Sequence, residues 1–164
     1  NDPIVLPHMA PDQVDYEAEL CIVISKTARN VSEADALNYV FGYTCGNDVS
    51  ARDCQFGDKQ WARGKSFDSF CPLGPCIATG LDPATLVVKT WLDGQLRQDY
   101  PVADIRFSVP RLVSLISHDM TLEPGDVILC GTSVGVGSMK PGQTVEIQIE
   151  GIGKLTNRFE SANS

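Results

Sequence analysis

The sequence predicts a mainly β chain with a few short helices, an α+β fold. Three observations carry this expectation. Leu86 to Tyr100 (LVVKTWLDGQLRQDY) alternates apolar and polar residues on either side of Asp93-Gly94, a pair suited to a type I′ hairpin turn. Short β-branched runs bounded by Gly and Pro recur along the chain, whereas helical spacing is confined to two segments. Strands and helices do not alternate as βαβ units, so a doubly wound parallel sheet is not expected.

In chain order, the proline-rich opening from Asn1 to Pro11 is extended chain and turns around a brief strand at Ile4-Val5-Leu6, with His8 read as a surface residue. Glu17 to Ile24 reads as one strand, because its apolar run is short, β-branched-rich and free of Gly and Pro. Ser32 and Asp35 resemble a capping box, and Ala34, Leu37, Val40 and Phe41 follow helical spacing. A helix is therefore expected at about 32–40, stopped by Gly42. Tyr43-Thr44-Cys45 begins an extended stretch into Asn47 to Asp53. Phe56 to Arg63 is polar apart from Trp61. Pro72-Leu73-Gly74-Pro75 reads as a turn before a short strand at Cys76 to Thr79. Ser108 caps and Pro110 opens a helix with Leu112, Leu115 and Ile116 on one face, ending near His118. Leu122 to Asp126 turns the chain into a strand at Val127 to Cys130. Val145 to Ile149 alternates strictly, Lys154 to Phe159 is the last strand, and Glu160 to Ser164 is expected to fray.

The chain has 164 residues, 43% of them hydrophobic and 21% charged, which suits one domain with a real core. A formal charge of −8 argues against nucleic acid and anionic membrane surfaces, which need clustered Lys and Arg; no apolar run is long enough to cross a bilayer. Small molecules or protein partners remain. Six cysteines without paired C-x-x-C spacing read as reduced thiols of an intracellular protein, cytoplasmic or mitochondrial, although their even number leaves disulfides open. No leader precedes the first strand, and the chain opens on Asn1 rather than Met, which leaves open that this single domain is a fragment of a longer protein.

Four segments carry candidate chemistry. Glu17 and Glu19, two apart on a strand, share a face, and two like charges at the edge of a core are costly unless a proton or a cation neutralises them. A hard divalent cation, Mg²⁺ or Mn²⁺, is the natural partner. The same spacing suits an edge strand with two solvated glutamates. Asn47 to Asp53 packs two Asp, an Arg and an Asn beside buried strand, as a site or a polar turn would. Lys65 sits between Gly64 and a Ser/Phe run, either against carboxylates or in solvent. Gly131 to Gly137 holds three glycines and Thr132. It lacks the Gly-Lys-Ser/Thr ending of a phosphate loop, which leaves a close backbone approach or a flexible connection.

The order of these segments resembles the catalytic domain of the fumarylacetoacetate hydrolase family. The resemblance rests on Asp15-Tyr16-Glu17-Ala18-Glu19-Leu20, Asn47 to Gln55 (NDVSARDCQ), Gly64-Lys65-Ser66-Phe67-Asp68, Pro72 to Pro75, Pro124 to Ile128 and Gly131 to Gly137, and so covers nearly the whole chain. It implies a β-rich roll of mixed sheets, usually a homodimer, holding Mg²⁺ or Mn²⁺ through Glu17, Glu19 and Asp48. By the same resemblance Arg52, Gln55 and Lys65 line the substrate pocket, Asp53 and Asp68 are supporting charges, and Thr132 binds the substrate carboxylate.

The implied substrates are small 2-oxo or β-diketo acids, whose adjacent oxygens chelate a hard cation; Lys65 would face the developing oxyanion. The implied reaction is C–C hydrolysis of an acylpyruvate-like acid or decarboxylation of an oxaloacetate-like one, with keto–enol or double-bond isomerisation as the alternative. Larger members carry an upstream segment and a lid with a His and a Glu, which have no counterpart in 1–164. That departure leaves a catalytically incomplete binding or dimerisation module as a reading from another class.

Overall fold

The computed structural model describes residues 2–9 and 12–161, and these form three sheets. The largest contains β1 (Ile4–Val5), β7 (Val87–Leu92), β8 (Gln95–Pro101), β11 (Thr144–Ile149) and β12 (Gly153–Glu160), in the order β1-β12-β11-β7-β8. Its β1–β12 pair is parallel and the other pairs antiparallel, so the sheet is mixed. The second contains β3 (Ala18–Ile24), β4 (Val40–Asn47), β6 (Leu73–Ala78) and β9 (Val127–Leu129), in the order β6-β4-β3-β9. A small third sheet sets β2 (Val14–Tyr16) between β10 (Gly137–Ser138) and β5 (Ser50–Ala51). The main core lies between the two larger sheets, where Leu20, Ile22 and Ile24 meet Val88, Ile147 and Ile149.

The expected hairpin is β7–β8, and positive φ at Asp93 (49°) and Gly94 (76°) gives the type I′ geometry. The helix expected from Ser108 is α3, which follows α1 (Arg52–Gly57) and α2 (Ala62–Lys65) along the chain. It spans Val109–Asp119, and the Ser108 hydroxyl accepts from the Arg111 amide. Its buried stripe is Val109, Val113, Ser114 and Ser117, flanked by Leu112 and Ile116, with Leu115 exposed rather than on the packed face.

Four expectations are corrected. The strand over Glu17 to Ile24 breaks at Glu17, because Glu17 turns its amide to the Asn47 side chain and its carbonyl to the Asp48 amide. The helix at 32–40 is only a 3-10 turn over Ala36–Tyr39, burying Ala36 alone and leaving Leu37 and Phe41 exposed. The Ser32–Asp35 contacts form, but pairing of Val40 with Ile24 draws the chain into β4. Gly42 lies inside that strand, where a Cβ would come within 2.5 Å of the Ala78 carbonyl oxygen. Pro72 to Pro75 is not a free turn, since Leu73 to Pro75 begin β6. Glu160 closes β12 instead of fraying, and Ala162 to Ser164 lie outside the described residues, as do Asn1, Ala10 and Pro11.

Candidate metal centre

Ala18 pairs with Asn47 across β3 and β4, so the link after β2 and the link after β4 lie side by side. Glu17 occupies the first link and Asp48 the second, while Glu19 follows on β3. Each of these three residues offers one carboxylate oxygen, and the three oxygens lie within 4.8 Å of one another. The backbone fixes them. Asn47 Oδ1 accepts the Glu17 amide at 2.9 Å, and the Asp48 amide donates to the Glu17 carbonyl at 2.8 Å. The Gly131 amide donates to Glu19 Oε2 at 2.5 Å, tying the glycine-rich stretch after β9 to the same cluster.

Two cations close the site. Lys65, the last residue of α2, donates to Asp48, to Glu17 Oε2 at 3.1 Å and to Ser50 Oγ at 3.0 Å. Arg52, the first residue of α1, uses all three guanidinium nitrogens: Nε on Asp15 Oδ2 at 2.8 Å, Nη2 on Glu17 Oε1 at 2.6 Å and Nη1 on Gln55 Oε1 at 2.6 Å. Asp15 also accepts from Ser138 Oγ at 2.8 Å. Neither short helix has an apolar repeat to announce it; both are held by these polar contacts and by Gly64 fitting under Ala51 and Gln55.

The charges do not balance. With all four carboxylates ionised, Asp15, Glu17, Glu19 and Asp48 against Arg52 and Lys65 would leave two negative charges in a mostly buried cluster. Burial accordingly pushes the Glu19 carboxyl up to about 8; the Gly131 amide opposes the shift and the nearby Asp48 and Glu17 reinforce it. Burial likewise raises Asp48, against its bond to Lys65. For Lys65 burial acts downward, yet pairing with Asp48 and Glu17 prevails and lifts its pKa. An all-oxygen donor set with this excess charge fits a hard divalent cation such as Mg²⁺ or Mn²⁺.

One pH effect follows. Glu19 binds its proton more tightly in the folded chain, about 8 against 4.5 ordinarily, so its contribution to stability is complete below 4.5 and is lost as the pH rises through 8. In EDTA, the thermal midpoint is expected to fall as the pH is raised across that window. Glu19→Gln should remove this part of the slope, and a midpoint whose pH dependence is the same in the variant would show that Glu19 is not its source.

The cluster thus brings together Glu17, Glu19, Asp48, Arg52, Gln55 and Lys65. Thr132 stands one peptide bond from Gly131, with its hydroxyl accepting from Gln98 Nε2 at 2.8 Å. Asp53 and Asp68 are exposed, and neither belongs to the carboxylate cluster. His8 lines an open cavity of about 490 Å³ with Ser66, Phe67 and Asp68, next along the chain from Lys65. Sequence reasoning gave no role to Asp15, Asn47 or Gln98. Asp15 precedes Glu17 by two residues, a spacing that could have flagged it. Gln98 stood at an inward-facing position of an alternating strand, where a buried amide is the signal.

The sheets and the carboxylate cluster define a β-rich domain with an acidic cluster whose donor set fits a divalent cation. The chain belongs to the fumarylacetoacetate hydrolase family: the family model described as "Fumarylacetoacetate (FAA) hydrolase C-terminal" matches residues 1–160. A crystal structure of 5-carboxymethyl-2-hydroxymuconate delta-isomerase from Mycobacterium smegmatis is 49% identical with a TM-score of 0.97, covering 100% of this chain and 65% of that one. An oxaloacetate tautomerase of Bacillus subtilis is 42% identical over 157 residues, 90% of this chain and 52% of the relative. Maleylpyruvate hydrolase from Sphingobium sp. SYK-6, solved with manganese(II) and pyruvate, is 37% identical with a TM-score of 0.90, covering 99% and 60%. The chain therefore spans between about half and two thirds of the length of these relatives. Members of the family are enzymes, and the mixed-sheet β fold is theirs.

Proposed function

We propose that the protein is a Mg²⁺- or Mn²⁺-dependent enzyme acting on small 2-oxo or β-diketo acids, with residues 1–164 as its catalytic domain. The observation that carries this reading is the convergence of Glu17, Glu19 and Asp48 under Lys65. The manganese and pyruvate bound to the maleylpyruvate hydrolase support it by similarity. A divalent cation held there would supply Lewis acidity toward the keto and carboxylate oxygens of the substrate.

The chain's own groups have separable tasks. Lys65 keeps an ammonium beside the carboxylates, placed to face negative charge as it develops on the keto oxygen. Arg52, oriented by Gln55 and Asp15, fixes one oxygen of Glu17 and leaves the other toward Lys65. Thr132 presents a hydroxyl to the substrate carboxylate from the stretch anchored on Glu19. These tasks serve any reaction that passes through an enolate, whether hydrolysis of an acylpyruvate-like acid or decarboxylation of an oxaloacetate-like one. Keto–enol or double-bond isomerisation uses the same residues, and the isomerase and tautomerase among the relatives favour it equally.

A homodimer is proposed by similarity to the family, and sedimentation tests it. Among the described residues no helix is long and apolar enough to cross a membrane. The free state of all six cysteines supports the cytoplasm, with the mitochondrion as alternative.

Proton NMR of oxaloacetate and of a simple acylpyruvate with Mg²⁺, with and without EDTA, distinguishes cleavage, decarboxylation and isomerisation. Turnover that stops in EDTA is expected. Turnover indifferent to EDTA would remove the cation from the reading, and a protein inert to both acids yet tightly dimeric would favour the binding module.

A further inference from the structure

Strand β9 ends at Leu129 and pairs with β3 only at Cys21 to Val23, so among the described residues no strand lies beside the same edge of β3 at Ala18. Ala18 is the residue between Glu17 and Glu19. Two side chains of β8 take the place of the missing strand. Gln98 Oε1 accepts from the Ala18 amide at 3.3 Å, and Tyr100 Oη donates to the Ala18 carbonyl at 2.6 Å. The rest of the Gln98 amide is also used: Oε1 accepts from the Thr90 hydroxyl at 3.1 Å, while Nε2 donates to Thr132 Oγ1 at 2.8 Å and to the Ser133 carbonyl at 3.1 Å. Both donors and both acceptor sites of one buried amide are satisfied.

The stretch it holds is also tied at two other points, although Val134 between them is exposed. Gly131 is bonded to Glu19, and the Gly135 carbonyl accepts from Tyr16 Oη at 2.7 Å. Gly135 itself has φ +99° and lies so close to β8 that a Cβ would come within 2.1 Å of the Arg97 carbonyl oxygen. Gly135 therefore lets this stretch approach the hairpin backbone, and Gln98 places Thr132 from a different sheet.

We infer that Gln98 is a positioning residue for substrate recognition: one amide sets Thr132 and Ser133 at a fixed offset from the backbone that carries Glu17 and Glu19. The inference rests on the reading of Thr132 and the carboxylates given above. Gln98→Met keeps the length of the side chain and deletes all four bonds without touching a carboxylate.

The probes are Mn²⁺ alone, and then oxalate, a dicarboxylate mimic of a 2-oxo acid, titrated into the Mn²⁺-loaded protein. In Gln98→Met, oxalate affinity is expected to fall about tenfold, the worth of one or two lost hydrogen bonds, with Mn²⁺ affinity held within about threefold. In a Thr132→Val background the same change should add less than about twofold, since both act through one contact. In the metal-free protein the Gly131 amide should exchange about tenfold faster, while the β3–β4 ladder amides keep their protection.

Unchanged oxalate affinity, or full additivity with Thr132→Val, overturns the inference. If the wild type binds neither Mn²⁺ nor oxalate, the functional reading fails instead, and Gly131 exchange alone decides the tether: unaltered exchange overturns it. If Gln98→Met does not fold, Thr132→Val, at a partly exposed position, removes one end of the tether, and unaltered Gly131 exchange there is equally fatal.

Discussion

Glu17→Ala and Asp48→Ala are each expected to abolish Mn²⁺ binding in titration calorimetry, a loss above about 100-fold, because even outer partners of metal ligands are worth 10- to 100-fold. The charge arrangement makes the effect large. With Asp48 removed, three carboxylates face two cations, and half of the excess negative charge that draws a divalent ion is gone. Glu17 is the more connected of the two, since its oxygens are shared between Arg52 and Lys65. Its removal should therefore also lower the thermal midpoint, because Arg52 then keeps only Asp15, and Lys65 only Asp48, as a carboxylate partner. Affinity equal to wild type in either variant would refute the ligand assignment.

Lys65→Met separates binding from chemistry. Turnover should fall by about 10²- to 10³-fold, the cost of removing a charge-stabilising donor from a transition state. Mn²⁺ affinity should be retained or rise, because the ammonium lies on Glu17 and Asp48, two of the three carboxylates a cation would use. The metal-free variant should melt earlier than wild type, with Asp48 left without its ion-pair partner and Glu17 with Arg52 alone, and Mn²⁺ should remove the difference. Full activity would remove Lys65 from the reaction, and a large loss of Mn²⁺ affinity would make it a structural support of the site instead.

Much of the fold was legible because local chemistry and tertiary structure agree. Asp93-Gly94 dictates its turn, Ser108 and Pro110 start their helix, and the alternation at Val145 to Ile149 matches its burial. Where they compete, tertiary pairing wins. The capping contacts of Ser32 form, yet Val40 is worth more as a partner of Ile24 than as a helical residue. The break at Glu17 was hidden because its cause, Asn47, lies thirty residues away.

In the candidate site, the carboxylates, Arg52, Gln55 and Lys65 could be named through the family resemblance. Their mutual clamping could not, since it depends on two short helices without apolar periodicity. The alternation of the β7–β8 hairpin carries no sign of a role at the site. Only the packing of the sheets shows that Gln98 and Tyr100 project from it onto the strand between the two glutamates.

The most direct measurement is electron paramagnetic resonance of Mn²⁺ added to the protein, followed by titration with pyruvate and with pyruvate labelled with ¹⁷O. The expected result is a protein-bound Mn²⁺ signal that changes on adding pyruvate and broadens with the labelled acid, showing that the carboxylate-held ion and the 2-oxo acid meet. A bound signal that ignores both forms of pyruvate, or Mn²⁺ that stays free in solution, would contradict the reading of Glu17, Glu19 and Asp48 as the centre of a 2-oxo acid enzyme.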